Sequence, residues 1–63
     1  MSTKLIYIKN KNEIKVNDWT KNLMEDGNVV GIDYQNEEVD IFDGKNGWTI
    51  KGDYLKQNGI MFI

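Results

Sequence analysis

Cysteine, histidine, arginine and proline are all missing from this chain of 63 residues. Without Cys there can be no disulfide and no thiolate zinc site, and without His any metal would have to rely on oxygen ligands. Triad-type nucleophilic catalysis loses both its usual base and its best nucleophile. Ser2 is the only serine, and it stands beside the N-terminus. The lack of Arg removes the bidentate clamp for phosphate or carboxylate. Gly44-Lys45 lacks the upstream glycine and following hydroxyl of a P-loop, and Gly27-Asn28-Val29-Val30-Gly31 does not match the dinucleotide fingerprint. An enzyme is therefore not expected, nor is a cofactor or a metal.

Long apolar runs are missing too. Leu5–Ile8 and Ile60–Ile63 are four residues each, against the roughly 18 that a membrane helix needs. The N-terminal run is also too short for a signal peptide and is followed by Lys9 and Lys11, so a cytoplasmic protein with no membrane association is expected. A chain this short forms one domain, residues 1–63, with a marginal core. With disulfide and thiolate–zinc support excluded, self-association is the remaining common source of extra stability.

Lys, Asn and Ile each occur eight times. Their codons are A/T-rich, which suggests a low-G+C bacterial genome or a phage or mobile element within one. Charge is unevenly spread along the chain. Residues 1–24 carry five Lys and two acids, residues 25–43 carry seven acids and no Lys, and residues 44–63 carry three Lys and one acid. The net charge of −2 speaks against a nucleic-acid binder driven by electrostatics, whereas the acidic middle could face a basic partner.

Local patterns point to an α+β fold. Lys4–Lys9 is rich in β-branched and aromatic residues, and Glu13–Val16 alternates, so the two predict a hairpin around Asn10-Lys11-Asn12. Asn17 or Asp18 can cap a helix over about residues 18–26, with Trp19 and Leu23 on one face and Gly27 ending it. Val30, Ile32 and Tyr34 alternate with polar or small residues, and Val39 and Ile41 flank Asp40, so a strand pair turns at Asn36-Glu37-Glu38. Gly44-Lys45-Asn46-Gly47 predicts a tight hairpin centred on Asn-Gly before the strand Trp48-Thr49-Ile50. Asp53–Asn58 reads as one helical turn capped by Asp53 and closed by Gly59, or alternatively as a strand turning at Asn58-Gly59, and Ile60–Ile63 as a final strand. Together these predict a twisted antiparallel sheet of five or six short strands with the 18–26 helix packed on it. A small open barrel of the SH3-like kind is the architectural alternative.

Three surfaces are candidate sites. Asp33, Glu37, Glu38, Asp40 and Asp43 alternate with apolar positions and are expected to share an outward acidic face, which would steer a basic protein partner. Asp40, Asp43 and Asn46 do not fit the spacing of a calcium loop and read as turn residues. Lys4, Tyr7, Lys9 and Lys11 interleave basic groups with an aromatic ring, an alternative site for single-stranded nucleic acid. Ile60, Met61, Phe62 and Ile63 do not alternate, so one face of that strand is expected to meet a second copy in a homodimer. The resulting expectation is a non-catalytic interaction module, phage- or mobile-element-encoded. It would modulate or inhibit a larger host protein that handles nucleic acid or serves in defence, through the acidic face. The alternatives are a single-stranded nucleic-acid binder and a structural homo-oligomer subunit.

Overall fold

The computed structural model describes residues 2–19 and 27–63. In chain order its elements are β1 (Leu5–Tyr7), β2 (Asn28–Asp33), β3 (Glu38–Phe42), β4 (Gly47–Lys51), α1 (Gly52–Gln57) and β5 (Ile60–Phe62). Among the described residues the strands form two antiparallel sheets, β1–β5 and the meander β2-β3-β4, and close no barrel. The fold is thus α+β, but the single sheet expected from the pattern is divided, because β5 turns back to pair with β1 and not with the meander.

Alternation builds the meander. Val39 pairs with Ile50, and Ile41 with Trp48, so these side chains share the inner face. Val29 and Ile32 join them from β2, opposite Ile41 and Val39. Leu5, Ile14, Leu55 and Ile60, each almost fully buried, close the core from the other side. Ile14 belongs to the second arm of the expected N-terminal hairpin. That arm pairs through a single bridge, Ile6 with Glu13, and the Ile14 N–H donates to the Leu5 carbonyl at 2.7 Å. It forms no regular strand.

The β3–β4 turn differs in detail from expectation. Asp43 Oδ1 accepts the N–H groups of Lys45 and Asn46 at 2.8 and 2.7 Å, and Gly44 takes the left-handed conformation at φ 98°. Gly47 is already inside β4, paired with Phe42. The carboxylate organises this turn, and the positive φ falls at Gly44 instead of Asn46-Gly47. The turn between β2 and β3 is likewise held by Asp33, which accepts the Asn36 N–H, and Glu38 belongs to β3.

The predicted helix over 18–26 lies, from residue 20 onward, outside the described residues. Its expected start is not helical. The Asn17 N–H donates to the Val29 carbonyl, the Val29 N–H donates to the Asp18 carbonyl at 2.8 Å, and Trp19 bridges Asn28. Residues 17–19 therefore run along the outer edge of β2 and satisfy backbone groups that would otherwise lack partners. Asp18 spends its carboxylate on the Lys15 N–H, and Asn17 sits at φ 82°. Trp19 is 49% exposed and is not a core residue.

The helix that is described is α1. Asp53 stands in its first turn and not at its cap, which is Lys51 with no side-chain bond. Gly59 closes it at φ 86°, as the pattern predicts. Six residues cannot sustain a helix alone, and Leu55 anchors this one by complete burial. In β5, Ile60 is buried and Phe62 meets Tyr34 edge-to-face at 6.1 Å, with Met61 partly covered on the opposite side. Packing within the chain thus accounts for much of the missing alternation.

Candidate functional site

Strand parity separates the acids of the middle segment. Asp33, Glu38 and Asp40 all project from the outer face of the meander, with Asp33 directly across from Glu38. Like charges so placed repel. Lys51, on the other side of Glu38, offsets this through an ion pair at 2.5 Å. That bond and the Glu38 charge push the Lys51 ammonium pKa up. Asp40 stands between Gly31 and Thr49, whose hydroxyl donates to Asp40 Oδ1 at 2.6 Å.

Glu37 and Asp43 are not on this face. They occupy the turns at opposite ends of β3, where Glu37 accepts the Ser2 hydroxyl at 2.7 Å and Asp43 holds its hairpin. The backbone N–H groups of Asn46 and Lys45 hold the Asp43 carboxyl below the ordinary carboxylate value. Asp33 is lowered in the same way, first by the Asn36 N–H and then by its side-chain amide. These two acids serve as turn builders, and only Asp33 also lies on the acidic face.

An apolar patch completes the surface. Val30 and Phe42 are 51% and 43% exposed on the same side as Asp40. With Asp40, Gly47 and Thr49 they line a shallow groove of about 400 Å³. Alternation places Val30 inward with Ile32, but a bulge between Val29 and Gly31 shifts the phase, so Val29 takes the buried position and Val30 turns out. Phe42 was readable, because it follows Asp40 by two positions and a strand extended by one residue puts both on one face. The lack of side chains at Gly31 and Gly47 opens the space beside them; a methyl at Gly31 would come within 3.1 Å of Asp40 Oδ2.

The basic N-terminal candidates are placed less favourably for stacking on bases. Lys4, Lys9 and Lys11 are exposed, but the Tyr7 ring is partly buried against the core. Burial, and then the charge of Asp18, raise its phenol pKa. Among Ile60–Ile63, Ile60 is buried and Phe62 is half-covered, leaving Met61 in part and Ile63 to face outward. Among the described residues no three acidic, Cys or His side chains gather as a metal site, and no helix is long and apolar enough to cross a membrane. No protein-family model, curated protein or solved structure matches this chain.

Proposed function

We propose that this chain is a non-catalytic interaction module whose outer meander face docks a basic, partly apolar surface of a larger protein. The observation that carries this reading is the juxtaposition of Asp33, Glu38 and Asp40 with exposed Val30 and Phe42. Carboxylates steer a cationic partner and fix its orientation, while buried aromatic contact supplies affinity. Nucleic-acid-handling and defence proteins carry such basic surfaces, which makes a modulator of one of them the concrete version. The meander, the helical turn and the return of β5 to β1 also favour an open barrel of the SH3-like kind, with this face on its outside.

The test is capture of partners from a low-G+C bacterial lysate on the tagged protein and on an Asp40→Lys/Phe42→Ser variant, before and after nuclease. A host protein that survives nuclease and is lost with the variant is expected. Loss of a buried aromatic anchor costs about 2 kcal/mol, roughly 30-fold in affinity. Equal retention by a folded variant would remove this face from the mechanism. Retention that disappears with nuclease would instead favour the surface of Lys4, Lys9 and Lys11.

A further inference from the structure

The two edges of the meander are treated differently. Residues 17–19 cover the outer edge of β2, whereas nothing among the described residues pairs with the outer edge of β4. Its direction follows from the hydrogen bonds that bracket the β3–β4 pair. The Asp43 N–H donates to the Asn46 carbonyl, and the Gly52 N–H donates to the Glu37 carbonyl. Alternation between these points aims the backbone of Trp48 and Ile50 at β3, and that of Gly47, Thr49 and Lys51 away from it.

Exposed edges are usually blunted by a free lysine, a proline or a bulge. None of these protects β4. The sequence has no proline, the Lys51 ammonium is drawn back onto Glu38, and the Thr49 hydroxyl is drawn back onto Asp40. Along this edge Trp48, Ile50 and half-exposed Tyr54 line a groove of about 320 Å³. Among the described residues the buried Trp48 indole N–H meets no acceptor.

We infer that β4 pairs antiparallel with β4 of a second copy of this chain, joining two meanders into one continuous six-stranded sheet. The side chains of β4 complement themselves about a two-fold axis at Thr49. Thr49 meets Thr49, a favourable cross-strand pair, and Lys51 meets Gly47, which avoids any clash of like charges. Trp48 meets Ile50 twice. These fall at non-hydrogen-bonded positions, where side chains approach most closely, and on the apolar side of the strand. The β5 edge offers less, because that strand is three residues long and aims only Ile60 and Phe62 outward. This inference concerns the backbone edge of β4, although Gly47 and Thr49 also line the docking groove, and it does not rest on the proposed function.

One five-residue strand per copy makes an interface below the roughly 1,200 Å² of stable complexes, so the dimer should dissociate on dilution. The test combines light scattering between about 10 µM and about 1 mM, a range suited to weak association, with residue-resolved amide exchange. The expected result is a rise from monomer to dimer mass, with exchange of the Thr49 and Lys51 amides slowing about tenfold or more while Trp48 and Ile50 stay protected throughout. Thr49→Pro deletes an outward N–H without touching the β3 ladder and should remain monomeric with an unchanged circular dichroism spectrum. If that variant misfolds, exchange in the natural chain decides. A monomer at the highest concentration would overturn the inference, as would a dimer that protects Ile60 and Phe62 instead of Thr49 and Lys51.

Discussion

A methyl group added at Gly27 would lie 2.5 Å from Ile41 Cγ2 and 3.2 Å from the Phe42 carbonyl oxygen, while one added at Gly59 would touch nothing within 4 Å. Gly59 is constrained by its backbone instead, at φ 86°. The two positions should therefore respond differently to the same substitutions. Gly27→Ala overpacks the junction with β3 and is expected to cost about 1–3 kcal/mol, with Gly27→Asn worse. Gly59→Ala incurs a left-handed backbone penalty of about 1–2 kcal/mol, most of which Gly59→Asn should recover. Urea unfolding of the four variants checks this, and equal costs for Ala and Asn at Gly59 would contradict the backbone assignment.

At the level of elements, the meander depends on carboxylates that close its turns. Asp33 and Asp43 both titrate below the ordinary Asp value of 3.8 because backbone N–H groups stabilise their ionised forms. A lowered folded pKa means stability that is fully present above the unfolded value and is lost as pH falls through the folded one. The melting temperature should accordingly hold from neutrality down to about pH 4 and fall below it, beyond the loss common to any carboxylate-rich chain. Asp43→Asn, which keeps an acceptor but cannot ionise, should flatten part of that fall; an unchanged profile would separate Asp43 from acid stability. The strands themselves were legible, since Val39-Asp40-Ile41 and Trp48-Thr49-Ile50 alternate cleanly between turn residues. Residues 17–19 were not. An Asn-Asp pair caps helices or makes irregular turns with equal chemical ease, and the choice was made by unpaired backbone groups of Val29, distant in sequence.

At the scale of the whole molecule, acidic and apolar side chains lie together on one exposed sheet face. The acidic half of that face could be read from the sequence, because Asp33, Glu38 and Asp40 fall at outward positions whichever way the sheets are arranged. Of its apolar half, Phe42 follows from the same parity as Asp40, but Val30 does not. Val30 reaches the surface only through a bulge, a feature of pairing between strands that no single-strand pattern contains. The most direct measurement is an amide chemical-shift titration of the natural chain with two probes, a Lys-rich peptide containing aromatic residues and a single-stranded oligonucleotide. Shifts at Val30, Asp40, Phe42 and Thr49 on adding the peptide, and weak salt-sensitive shifts with the oligonucleotide, are expected of a protein-docking face. Shifts confined to Lys4, Tyr7, Lys9 and Lys11, or no response of the meander to the peptide, would contradict it.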